Sequence, residues 1–134
     1  MAKIIKMHHI AIAVPDIDEA LEFWQNALGL ELDHVEEVPS QKAQVGFLPV
    51  GDCEVELVRP TVDDTGVARF LEKKGAGLHH ICLEVDDLEA MIHQLKEKGI
   101  QMIDDEPKVL EGRKLAFIHP KSSTGVLVEL YQLL

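Results

Sequence analysis

The sequence is short of cysteine, of basic residues and of long apolar runs, and each shortage excludes a class of protein. Cys53 and Cys82 are the only cysteines. Two cannot build a disulfide framework, and their spacing fits no cysteine-based zinc motif, so a stapled secreted scaffold is excluded and a reducing compartment is expected. Lys and Arg number 13 against 24 Asp and Glu, giving a net charge of −11 with His neutral. A surface that acidic repels nucleic acid and anionic lipid. No apolar run approaches the roughly 20 residues that cross a bilayer. The stretch Met1–His9 has neither the apolar segment nor the small-residue cleavage site of a signal peptide, so a cytoplasmic location is expected. What is present is an ordinary globular balance, 46% hydrophobic and 28% charged over 134 residues. That length suits one domain, or two small halves sharing a core.

The chain repeats itself. His8-His9-Ile10-Ala11-Ile12-Ala13-Val14-Pro15-Asp16 returns as His79-His80-Ile81-Cys82-Leu83-Glu84-Val85-Asp86-Asp87. Each copy is followed by apolar residues at helical spacing: Ile17, Ala20, Leu21, Trp24 and Leu28 in the first, Leu88, Met91, Ile92 and Leu95 in the second. Asp16 with Glu19, and Asp86 with Glu89, have capping-box spacing, and Gly29 and Gly99 stand where a left-handed C-cap is expected. Strands are predicted at 44–50 and 53–58 in the first half, and at 116–119 and 126–131 in the second. The coarse reading is β-α-β-β-β twice, an α+β fold forming one domain over 1–134. Repeat 1 spans about 5–60, repeat 2 about 77–134, and a linker between them carries a short helix over 67–74. A half of about 60 residues is marginal alone, so two halves around one shared cleft are expected.

Strand alternation divides each strand into two faces. Ile10, Ile12 and Val14 form an apolar face opposed by His9, Ala11 and Ala13, and Ile81, Leu83 and Val85 oppose His80, Cys82 and Glu84 in the repeat. In the closing strands Val55 and Leu57 oppose Glu54, Glu56 and Val58, while Leu127, Glu129 and Tyr131 oppose Val126, Val128 and Leu130. One face therefore packs under helices and the other carries ionisable groups. A pseudo-twofold relation sets His9 beside Glu56 and His80 beside Glu129. Two imidazoles and two carboxylates suit a borderline divalent cation in an open octahedral site. A lone His or Glu on such a face more often points at water; recurrence at equivalent positions, beside the small residues Ala11, Ala13 and Cys82, favours ligation.

These blocks, with Glu54–Pro60, Asp105-Glu106-Pro107-Lys108, His119-Pro120-Lys121-Ser122 and Gly125–Leu130, resemble the vicinal oxygen chelate superfamily (glyoxalase I, bleomycin-resistance proteins, dioxygenases). Over essentially the whole chain they resemble its methylmalonyl-CoA epimerases. The resemblance implies a mixed-sheet half-barrel around a central metal cleft with helices outside. It implies one divalent ion per chain, Co with Mn, Ni or Zn as alternatives, held by His9, Glu56, His80 and Glu129. It also implies interconversion of (2R)- and (2S)-methylmalonyl-CoA through a stabilised enolate, a place in propionate metabolism, an acyl-CoA substrate and a homodimer.

Epimerisation removes the C2 proton on one face and returns it on the other, so two acid/base groups are the natural arrangement. Glu129 is the first. Some epimerases place a further Glu on the strand before the one holding Glu56, but Lys42–Phe47 contains no acid, so the second group is unassigned. Gln44 is a candidate to orient water. Lys108, Arg113, Lys114 and Lys121, with His119 among them, are the cations available for CoA phosphates or the substrate carboxylate. His8 and His79 are expected on the opposite strand face, either supporting the neighbouring ligands or packing, and His34 and His93 are expected to face solvent. The runner-up activity is a glyoxalase I-type lactoylglutathione lyase, and a metal-free small-molecule-binding relative is the alternative from another class.

Overall fold

A computed structural model describes all residues, Met1–Leu134, in the element order β1 (Ile4–Ala13), α1 (Ile17–Leu21), β2 (His34–Val38), β3 (Ala43–Val50), β4 (Cys53–Pro60), α2 (Gly66–Lys74), β5 (Gly77–Val85), α3 (Leu88–Glu97), β6 (Lys108–Leu110), β7 (Arg113–Ile118) and β8 (Val128–Leu133). The β-α-β-β-β pattern thus occurs twice, with α2 between the copies. The chain forms two compact units: one is His9–His79, the other combines Met1–His8 with His80–Leu134. No helix is long and apolar enough to cross a membrane.

In the His9–His79 unit the strand order is β2-β3-β4-β1. β4 runs parallel to β1, while β2–β3 and β3–β4 are antiparallel hairpin pairs. Helix α1 covers one face: Ile17 and Leu21 pack with Val14, Leu48, Val55 and Leu57. The approach is close at Gly46, where a Cβ would lie 3.3 Å from the Ile17 side chain and push it by a few tenths of an ångström. On the other face Ala11, Ala43, Val45 and Val58 form a second cluster, with Val38, Phe47 and Val67 of α2 against it.

The other unit repeats the pattern in the order β5-β8-β7-β6, with β8 parallel to β5 and β6–β7–β8 antiparallel. Leu88, Met91 and Ile92 of α3 pack on Val85, Ala116, Ile118, Val128 and Leu130. Ala2 joins this core, and its amide donates to Gln94 Oε1 at 2.6 Å.

Local details depart from the sequence reading in three places. Beyond Leu21 the first helix widens into a π-helical turn, Glu22–Ala27, where the Leu28 amide donates to the Phe23 carbonyl. The second cap is Asp87, whose carboxylate accepts from the Ala90 amide; Asp86, the expected cap, instead accepts from the Lys3 amide. The edge strands β2 and β6 were expected in number but not located. His34-Val35-Glu36-Glu37-Val38 lacks apolar alternation, and β6 has only three residues.

Candidate metal centre

Each unit brings one histidine against one carboxylate. In the first, Glu56 lies opposite Ala11 in the parallel β1–β4 ladder, with His9 two residues before that alanine. In the second, Glu129 lies opposite Cys82 in the parallel β5–β8 ladder, with His80 two residues before that cysteine. The two constructions are equivalent strand for strand. Small side chains at 11 and 82 leave room for the carboxylates to reach sideways to the histidines. The contacts are 3.2 Å from His9 Nδ1 to Glu56 Oε2 and 3.1 Å from His80 Nε2 to Glu129 Oε1.

Burial sets these groups apart. His9 and Glu129, each 5% exposed, are the buried polar residues of the chain. Taking an ionised carboxylate out of water is costly without hydrogen bonds, an opposite charge or a cation. The donor set fits a divalent ion: imidazole nitrogen and carboxylate oxygen suit Zn, Co, Ni or Mn. Donors about 2.1 Å from one ion at a right angle stand about 3 Å apart, the separation found in both pairs. Around the second pair, the Phe117 ring meets His80 edge-on with centroids 5.5 Å apart. Phe117 lies directly opposite Glu129 in the β7–β8 ladder. Phe117 is absent from the sequence reading, whereas the period of two sets Tyr131 on Glu129's face without giving it a role.

The remaining expected residues separate. Gln44 belongs to the helix-covered face: it pairs with Arg59, while Phe47 is the residue opposite Glu56. It lines a cleft of about 280 Å³ with Asp16, Ile17, Asp18 and Arg59, so it does not orient a ligand beside Glu56. The sequence reading lacked the β3–β4 register that decides this. Arg113 lies on the Glu129 face, its guanidinium 5.9 Å from the Tyr131 ring. Lys108, opposite Leu115 on the same face, is 3.6 Å from Asp104. Lys114 points the other way and binds both Glu89 oxygens of α3, at 2.6 and 2.7 Å. That contact holds the Glu89 carboxyl below the usual range. His119 and Lys121 stand in the turn after β7, where His119 Nδ1 accepts from the Lys121 amide. The His8 ring lies 4.4 Å from Tyr131, a residue of the Glu129 face, and His79 meets Phe70 of α2 edge-on. His93 pairs with Glu97 along exposed helix.

His34 is exposed, as expected, and it is also engaged. Its ring stacks on Phe47 with centroids 4.5 Å apart, and Nδ1 lies 2.6 Å from Asp33 Oδ2. That hydrogen bond raises its pKa above the ordinary histidine value, against a smaller loss from desolvation.

The sequence matches the Glyoxalase/Bleomycin resistance protein/Dioxygenase superfamily over residues 8–117, and the chain belongs to that family. Within it, the chain is 40% identical over 129 residues to the mitochondrial methylmalonyl-CoA epimerase of Homo sapiens, an alignment covering 95% of this chain and 73% of that one. It is 39% identical over 130 residues to the ethylmalonyl-CoA/methylmalonyl-CoA epimerase of Cereibacter sphaeroides, covering 95% and 97%. A solved methylmalonyl-CoA epimerase in complex with methylmalonyl-CoA and NH4+ superposes with a TM-score of 0.86 at 32% identity, covering 98% of this chain and 96% of that one.

Proposed function

We propose that the protein interconverts (2R)- and (2S)-methylmalonyl-CoA by proton transfer at C2, using one divalent ion held by His9, Glu56, His80 and Glu129. The observation that carries the reading is the duplicated His–Glu pair, on equivalent strands in a chain about 40% identical to named epimerases over nearly its full length. The C2 proton lies between a thioester and a carboxylate, so its removal places negative charge on oxygen. When bound, a divalent cation acts there as a Lewis acid; cobalt is the first choice, with Mn, Ni and Zn also suited to these donors.

The chain's own residues supply the rest. Glu129, buried beside His80, takes the C2 proton and returns it. Phe117 keeps water from the His80–Glu129 pair, which strengthens the electrostatics of the site. Arg113, Lys108, His119 and Lys121 provide positive charge for the CoA phosphates or the substrate carboxylate. Arg113 and Lys108 are favoured by sharing the sheet face of Glu129. The family resemblance supports a homodimer acting in propionate metabolism, and the presence of only two cysteines supports a reducing, cytoplasmic location.

The test uses single epimers of methylmalonyl-CoA in deuterated water, before and after chelator treatment and with cobalt returned. The expected result is inversion with deuterium at C2, lost with chelator and restored by cobalt. Protein that neither inverts nor exchanges C2 under any of these conditions sinks the reading.

A further inference from the structure

Each carboxylate of the two pairs stands between a bulky neighbour and a small one. Glu56 of β4 has Phe47 opposite it on β3 and Ala11 opposite it on β1. Glu129 of β8 has Phe117 opposite it on β7 and Cys82 opposite it on β5. Side chains directly opposite one another share a sheet face, with their Cβ atoms about 5 Å apart. The chain has only four phenylalanines, and two of them hold this place. Spacing along the chain is not what repeats: Gly51-Asp52 joins β3 to β4, whereas residues 119–127 join β7 to β8. The aromatic ring keeps its strand register although the turn beside it differs in length. Core filling alone does not require a ring in that register twice.

We propose that Phe47 and Phe117 are positioning residues for the metal ligands, each closing one side of its carboxylate and turning it toward the histidine of the same unit; this rests on the divalent-ion reading above. A glutamate on an open sheet face has staggered rotamers that lean to either side of its strand. A phenyl ring on one side blocks that side at the height of the carboxylate. Ala11 and Cys82, both fully buried, leave the other side open. The histidine stands on that open side, on the same strand as the small residue, and the pairs meet at 3.2 and 3.1 Å. Donors already ordered before an ion arrives lose less freedom when it binds, so affinity rises.

Each ring is itself held in place. The Phe117 ring meets His80 edge-on, with centroids 5.5 Å apart at 86°, so it packs on the imidazole as well as beside the carboxylate. Its amide donates to Asp104 Oδ2 at 2.8 Å, and its carbonyl accepts from the Ile103 amide at 2.9 Å. Phe47 is braced from the side away from Glu56. The His34 ring of β2 stacks on it at 17°, and His34 Nδ1 lies 2.6 Å from Asp33 Oδ2. Asp33 is tied back to the same residue, its amide donating to the Phe47 carbonyl at 2.8 Å. The Phe47 ring therefore cannot swing away from Glu56 without breaking the stack on His34.

The test is cobalt binding by chelator-stripped wild type, F47L and F117L, followed by titration calorimetry and by the visible spectrum of the bound ion. Leucine stays apolar but ends short of the carboxylate it faces. Losing a group that orients metal ligands costs about 10–100-fold in affinity. Each leucine variant should therefore bind cobalt about tenfold more weakly or worse, and its spectrum at saturation should change because the ring no longer sets the donors. F47Y, which keeps the ring, should bind within about threefold of wild type. Either leucine variant binding within about threefold of wild type overturns the inference. Weaker binding with an unchanged spectrum overturns it too, because that reports general loosening rather than lost orientation. A leucine variant whose stripped form gives no cooperative thermal melt is replaced by F47M or F117M, which keeps the volume without the flat ring and carries the same expectation. Wild-type protein that binds no cobalt overturns the divalent-ion reading itself, so the two failures are told apart.

Discussion

At Glu129 the protein concentrates its most consequential carboxylate where water hardly reaches, 5% exposed and 3.1 Å from His80. If this group both holds the ion and moves the proton, E129Q keeps the shape and one oxygen donor but loses the base. Inversion and deuterium exchange should then fall together by about 10²-fold or more. Ala11 makes the complementary point about size. It is fully buried opposite Glu56, and its small side chain is what lets that carboxylate turn toward His9. A11L should cost about 1–3 kcal/mol in urea unfolding and lower the metal content measured on the purified variant.

Elements here are held by a few specific contacts that can be tested one at a time. The α1–β3 contact depends on Gly46, where an added Cβ already meets Ile17 at 3.3 Å. G46V should destabilise by about 1–3 kcal/mol, seen as a lower denaturant midpoint with an unchanged slope. At α3 the true cap is Asp87, so D87A should cost about 1 kcal/mol. The same helix is pinned to β7 by Glu89 and Lys114. The Glu89 carboxyl is lowered in the folded state, so this contact contributes above the ordinary carboxylate value near 4.5 and is lost as pH falls through the lowered one. Glu89 is more than half exposed, so the contribution stays below about 1 kcal/mol. E89Q should narrow the gap to wild type in chemical stability between pH 7 and pH 3.

For the whole molecule, the decisive question is whether two equivalent pairs serve one ion. An ion bound only by the folded chain stabilises it by about 2.7 kcal/mol at 100 times Kd, and so raises the melting temperature with its concentration. With one shared ion, H9A and H80A should each abolish the whole shift, and elemental analysis should give one ion per chain in wild type and none in either variant. Two ions in wild type, with one lost in each variant, would instead make the pairs separate sites and remove the basis for the quartet.

Read alone, the residues from His8 to Asp16 and from His79 to Asp87 specify two copies of one module. Their period of two also sets His9 and Glu56, His80 and Glu129 on ionisable faces, because alternation is a local property of an extended chain. The helices were legible for a similar reason: apolar spacing and a following glycine act within one or two turns. Tertiary structure decided what depends on which strand lies beside which. Gln44 belongs to the helix side because Phe47, not Gln44, is in step with Glu56. Lys114 is engaged by Glu89 of α3, and His34 meets Phe47, the residue opposite Glu56, through an edge strand whose His-Val-Glu-Glu-Val sequence carries no apolar alternation. Register between strands is fixed by turns and packing far along the chain, and no local pattern encodes it.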